Sequence, residues 1–235
     1  MSKPGFASTG DIKAKKITFS EVGPGLHAFT AEGDPNSGII IGDDGCIVMD
    51  AQATPAMASL VIERVRQVTD KPIKYVVLSH YHAVRVLGAS AYKAEAVVAS
   101  QETRRLVAER GQQDWDSEYG RFPRLFADAQ SIPGLTWPHV TFTGELTLYL
   151  GKREVRLMQI GAGTRQATLS LMFPMPTSCS QAISSNITPL VIAGMPTYAN
   201  GRRHSARSSS LSRAPSCQGA AMRLLARRKC TRRSP

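Results

Sequence analysis

After residue 160 the chain contains no aspartate or glutamate. The formal charge of +11 comes from 29 Lys/Arg against 18 Asp/Glu, and it is unevenly placed. Residues 1–160 hold 18 Lys/Arg and all 18 Asp/Glu, so they balance, and residues 161–235 hold the other 11 basic residues (29 − 18). Soluble domains ordinarily mix both signs over about a quarter of their residues. The basicity therefore belongs to the tail, and it implies no nucleic-acid or membrane-surface role for the first 160 residues.

Other shortages narrow the class further. The four cysteines (Cys46, Cys179, Cys217, Cys230) form no C-x-x-C pair and no close framework. Reduced thiols are expected rather than disulfides or a zinc knuckle. No stretch approaches the roughly 18 apolar residues of a membrane span. Residues 1–16 lack an apolar core of signal-peptide length, so a cytoplasmic location and no membrane partner are expected.

What is present reads as layered α/β. Residues 17–22, 26–30, 37–41 and 46–50 look like four short strands, punctuated by Gly23-Pro24-Gly25, residues 33–36 and Gly42-Asp43-Asp44-Gly45. They predict an antiparallel meander. Asp50 closes the fourth strand. Thr54-Pro55 starts a helix, with proline at its first position. Met57, Leu60, Val61, Val65 and Val68 give it an apolar stripe at spacings of three and four, a core face rather than a cofactor box. Residues 73–78 are the next strand, and strand–helix–strand predicts a crossover unit. Beyond it, residues 86–93 read as helix, 96–99 as strand, and Ser100 as the cap of a helix over 101–110. Residues 112–130 read either as an amphipathic surface segment or as a partly helical flap over the site. Residues 131–138 form a proline-rich loop, followed by strands at 140–142, 146–150 and 154–160. His27 and His139 are expected to be structural.

The chemistry concentrates at Val76-Val77-Leu78-Ser79-His80-Tyr81-His82-Ala83-Val84-Arg85. An apolar run ends in two histidines at i and i+2, which point the same way from an extended segment. Both imidazoles can converge on one point, as a metal site requires. The segment resembles the metal-binding loop of the metallo-β-lactamase superfamily, whose pattern is H-x-H-x-D-H at a strand end. His80 and His82 fit the two leading histidines, whereas Val84 stands at the aspartate and Arg85 at the last histidine. Valine cannot ligate, and a guanidinium repels a cation. The resemblance implies metal ligation by His80 and His82, and Zn2+ as the cofactor, with one ion at most or none. It implies a metal-bound hydroxide attacking a lactam, ester or thioester carbonyl in a small-molecule substrate. It also gives Arg85 as an anchor for an anionic substrate group. Asp50 reads either as a strand-end carboxylate or, by the resemblance, as a buttress of the metal loop through hydrogen bonds.

From Gly161 onward the periodicity collapses, and His204 lies among Gly201-Arg202-Arg203 and Ser205 with no strand to position it. The genetic code allows a shifted reading of this stretch. Taking the third base of each codon with the first two of the next, residues from Ala162 can read Gly-His-Thr-x-Gly-Asp-Thr-Val-Val. Residues 179–184 can read Phe-Ser-Gly-Asp-Leu. These resemble the family's third-histidine and bridging-aspartate motifs, in order, which predicts a frameshift near codon 160.

The expected architecture is an incomplete αββα metallo-β-lactamase-like sandwich. An N-terminal arm (1–16) precedes the partial domain (17–160), and a basic, acid-free, disordered tail (161–235) follows. The expected activity is that of a zinc-dependent hydrolase, impaired or inactive as written because a third histidine ligand is absent. The alternative is non-specific nucleic-acid binding through Arg202-Arg203, Arg227-Arg228-Lys229 and Arg232-Arg233.

Overall fold

The computed structural model describes residues 7–160 and the backbone of the strands at 168–174 and 187–190. The chain divides into two units, Met1–Ala193 and Gly194–Pro235. The second unit lies outside the described residues, whereas two strands, at 168–174 and 187–190, lie within the 161–235 stretch expected to be a disordered tail.

Strands β1 (Ile17–Gly23), β2 (Leu26–Ala31), β3 (Ser37–Ile41) and β4 (Cys46–Met49) form the antiparallel meander. Helix α1 (Pro55–Arg66) then crosses over to β5 (Ile73–Val77), which pairs parallel with β4. Strands β6 (Ala96–Ser100) and β7 (Val140–Phe142) extend the parallel side, giving a seven-stranded sheet in sequence order. A second, antiparallel sheet contains β8 (Glu145–Leu150), β9 (Arg153–Ile160), β10 (Thr168–Pro174) and β11 (Ile187–Leu190), in the order β11-β10-β9-β8.

Side-chain alternation on β4 fixes the layers. Cys46 and Val48 face one way, into a core shared with Ala58, Val61 and Val65 of α1. Ile47 and Met49 face the other way, onto Leu150, Val155 and Leu157 of the second sheet. The central strands are apolar throughout because both of their faces are covered. Among the described residues the stack is therefore helices, large sheet, small sheet.

Three local expectations differ from the structure. The α1 stripe buries Ala58, Val61 and Val65, while Leu60 and Val68 are 39% and 44% exposed. The buried face is narrower than the apolar spacing predicts and centres on Ala58, Val61 and Val65. The predicted helix over 86–93 is split into a short α2 (Ala83–Val86) and a 3-10 turn (Leu87–Tyr92).

The helix capped by Ser100 is also longer than expected. Helix α3 runs from Gln101 to Arg121 rather than stopping at 110, and Ser100 Oγ accepts from Thr103 N at 3.0 Å. Side-chain pairs carry it through its polar second half, including Gln112–Asp116 at 2.9 Å and Glu118–Arg121 at 2.7 Å. Gly111 packs close to Leu135, which joins the helix to the proline-rich loop. Among the described residues no helix is long and apolar enough to cross a membrane.

The turn after α2 lies hard against the start of α1. A Cβ at Gly88 would stand 2.3 Å from the Ala51 carbonyl and 2.7 Å from that of Thr54, both backbone atoms that cannot move aside. Gly88→Ala is expected to lose about 1–3 kcal/mol of stability through overpacking. Urea unfolding measures this, and an unchanged midpoint would contradict the close contact.

Candidate functional site

The parallel strands β4 and β5 end side by side, and everything in the site hangs from their carboxyl ends. Asp50 N donates to Val77 O at 2.9 Å, and Leu78 N donates to Val98 O at 2.9 Å. The chain thus stays pinned to the sheet until Ser79, where the histidine loop begins.

Asp50 is buried and sits at φ 62, with Gln52 at φ 70. Left-handed backbone at two non-glycine residues costs of order 1–3 kcal/mol each and persists only where the surroundings impose it. Here they do. Ser37 Oγ donates to the Asp50 carbonyl at 2.7 Å and accepts from Gln52 Nε2 at 2.8 Å. Gln52 Nε2 also donates to Pro35 O at 3.1 Å. Ala51 N donates to Arg85 O at 2.6 Å, and Gly88 N to Gln52 O at 3.0 Å.

This turn aims the Asp50 carboxylate under the histidine loop. Oδ1 accepts from Ser79 N at 2.8 Å, and Oδ2 accepts from Ser79 Oγ at 2.8 Å and from Arg85 Nη1 at 3.0 Å. Burial pushes the pKa of the Asp50 carboxyl up from its ordinary value, while Arg85 and the two Ser79 bonds oppose that rise. Ser79 Oγ also lies 2.8 Å from His80 Nδ1. Arg85, Asp50, Ser79 and His80 therefore form one continuous polar chain behind the loop.

The two imidazoles come together in front of it. The rings of His80 and His82 are 4.8 Å apart between centroids, edge to face. Burial, followed by the charges of His82 and Arg85, pushes His80 well below its ordinary pKa. Burial also lowers His82, with Asp114 opposing and Arg85 and Arg121 assisting. Both rings are thus neutral nitrogen donors near neutral pH.

Arg85 is placed differently from an anchor that faces a substrate. Its side chain is 11% exposed and paired with Asp50. His27 stacks on Phe19 at 5.1 Å, and His139 Nδ1 accepts from Val97 N at 3.0 Å, so both are held within the fold. His204 lies outside the described residues.

The second half of α3 supplies what residues 112–130 left open. Asp114 Oδ2 accepts from Ala83 N at 2.7 Å, one residue past His82. The same carboxylate raises the Tyr81 phenol, after burial, and counters the depression of His82. Ser79 and Asp114 are the supports of the histidine loop that the sequence hides. Ser79 at least adjoins the histidines, but Asp114 lies 31 residues away from its partner with no local mark.

Catalytic zinc takes three protein ligands. Among the described residues no group of three or more His, Cys, Asp or Glu side chains is arranged to hold an ion. His80 and His82 supply two, the Asp50 carboxylate is already committed to three donors, and Arg85 adds a fixed positive charge. The described residues do not complete a zinc site.

A family model described as the metallo-beta-lactamase superfamily matches residues 30–175. Among solved structures, the fold is similar to a metallo-beta-lactamase from Pontibacter korlensis. That pair has a TM-score of 0.50 at 17% identity, covering 68% of this chain and 67% of that one. It is also similar to GOB-18 from Elizabethkingia meningoseptica, with a TM-score of 0.51 at 16% identity over 66% of this chain and 55% of that one. A third is a metallo-beta-lactamase from Cronobacter sakazakii, with a TM-score of 0.50 at 17% identity over 69% and 60%. The chain thus spans between 55% and 67% of the length of these three. No curated protein sequence matches it.

Asp114→Ala removes the acceptor for Ala83 N and is expected to cost about 1–2 kcal/mol. Hydrogen exchange at the Ala83 amide should quicken while β4 and β5 stay protected. Unchanged protection at Ala83 would show that Asp114 does not hold the loop.

Proposed function

Because the chain belongs to the metallo-β-lactamase superfamily, we propose that residues 17–160 carry the first half of a metal-dependent hydrolase site. The observation that carries this reading is the polar chain from Asp50 through Ser79 to His80, with His82 beside it at the carboxyl end of β5. A family of metallohydrolase type gives the coarse activity. The carbonyl class of the substrate, whether lactam, ester or thioester, and the identity of the metal as zinc belong to the proposal.

The second half of the proposal concerns the missing donor. Two neutral imidazoles beside a guanidinium hold a divalent cation weakly, so the chain as written is an impaired or inactive hydrolase. We place the lost third histidine in the shifted reading frame of residues 161–184. Support comes from the absence of any carboxylate after residue 160 and from two family-like motifs in one alternative frame. The family match also stops at 175, inside this acid-free stretch.

Sequencing the encoding DNA across codons 150–190 tests this directly. A single missing or extra base near codon 160 should restore Gly-His-Thr and Gly-Asp. The repaired protein should then bind zinc stoichiometrically, while the chain as written binds it at least tenfold more weakly. A shifted frame that encodes neither motif, or tight zinc binding by the chain as written, would overturn the proposal.

The eleven basic residues without a counter-charge favour one second reading, non-specific nucleic-acid binding by the tail. Such binding falls steeply with salt, with a log–log slope set by the number of phosphates neutralised. DNA affinity that does not change between low and physiological salt would exclude it.

A further inference from the structure

We propose that Arg124 is a positioning residue for the histidine loop. Its ion pair with Asp34 clasps the end of α3 to the meander, and through Asp114 that clasp holds the chain just past His82. Arg124 Nη1 donates to Asp34 Oδ2 at 3.0 Å and Nη2 donates to Oδ1, a two-pronged pair that fixes orientation as well as distance. The two side chains are 19% and 6% exposed, so solvent screens the pair little. Arg124 Nε also donates to Asp11 O at 3.3 Å, which brings the N-terminal arm to the same guanidinium.

Both ends of the clasp are firmly mounted. Asp34 N donates to Ala31 O at 3.3 Å, and the carbonyl of Pro35 accepts from Gln52 Nε2. Ser37, just beyond, holds the Asp50 turn. On the other side the chain leaves α3 in a tight turn, with Phe122 N donating to Glu118 O at 2.8 Å and Leu125 N to Phe122 O at 2.9 Å. Leu125 and Phe126 are buried in the helix-side core, and Phe126 meets Tyr119 edge to face at 5.9 Å. Arg124 therefore moves with the last turns of α3.

The stretch of helix between Gly111 and Arg124 is the part that needs holding. Residues 112–121 are mostly polar and include Gly120, and side-chain pairs on a helix surface stabilise only weakly. Such a stretch depends on tertiary anchors. Asp114 lies within it. Without the guanidinium, the buried Asp34 carboxylate loses its cation. Hydrating that carboxylate lifts the turn at 122–126 away, and the lift frees α3 to unwind back past Asp114. Ala83 N then loses the acceptor it holds at 2.7 Å. The contacts form a ring from Asp34 through Ser37, Asp50, the histidine loop and Asp114 to Arg124, and the Arg124–Asp34 pair closes it. That the loop is a catalytic site rests on the hydrolase reading, whereas the coupling needs no metal.

Amide hydrogen exchange of the full chain, with no metal added, tests the coupling. A substitution quickens a locally exchanging amide only when the opening that exposes it also breaks the contact removed. Arg124→Met is expected to speed exchange at Ala83 by about tenfold, while Val68, just past the end of α1, stays within about twofold. Asp114→Ala supplies a readout that a merely structural role would not give. With the acceptor already gone, adding Arg124→Met should leave Ala83 exchange within about twofold of Asp114→Ala alone. A rise at Ala83 of less than about twofold in Arg124→Met, or a further rise of more than about twofold in the double variant, overturns the proposal. If Arg124→Met does not fold, Asp34→Asn decides, because it removes the charge and keeps the shape. Quicker exchange at Ala83 in Asp34→Asn supports the proposal, and unchanged exchange overturns it.

Discussion

A carboxylate removed from water must find donors for its lone pairs and a charge to offset its own, or it becomes a heavy liability. Asp50 meets that requirement with one backbone amide, one hydroxyl and one guanidinium, each drawn from the segment 79–85. The demand runs both ways. The carboxylate needs the loop for its donors, and the loop takes its shape from the carboxylate. Strained backbone at Asp50 and Gln52 is what brings the carboxylate into reach, and the Ser37–Gln52 bonds hold that strain in place. The site is therefore assembled by a buried electrostatic constraint before any ligand is considered.

Much of this was legible in the sequence because the relevant signals are local. Strand runs of five or six residues between glycine-rich turns predict the meander, and Thr54-Pro55 places the start of α1 where Thr54 Oγ1 accepts from Met57 N at 3.2 Å. The H-x-H spacing after an apolar run places two imidazoles together at a strand end, and their ring centroids stand 4.8 Å apart. The resemblance to the metallo-β-lactamase superfamily rests on the same few residues, and the family match includes them.

What was not legible depends on partners distant in the chain. Helix α3 outruns its apolar pattern because side-chain pairs and the packing of Gly111 by Leu135 support its polar second half. Its reward is to bring Asp114 to Ala83 N across 31 residues, a contact no window of sequence can reveal. Arg85 is instructive in another way. A guanidinium where a ligand is expected reads naturally as a hand reaching for an anion. Its side chain turns inward, where Nη1 donates to the buried Asp50 carboxylate at 3.0 Å. Sequence identifies the charge, while the direction in which it points is a property of the packed structure.

The claim that underlies the rest is that Asp50 and Arg85 act as one coupled pair. A double-mutant cycle with Asp50→Asn and Arg85→Met, read by urea unfolding of the full chain, tests it most directly. Breaking a buried pair from either side should cost about 3 kcal/mol. The double variant should cost less than the sum of the singles by more than about 1 kcal/mol, since neither residue is then left with an unmet charge. Costs that add to within about 0.5 kcal/mol would mean that the two side chains act independently, and the account of the site would fail with them.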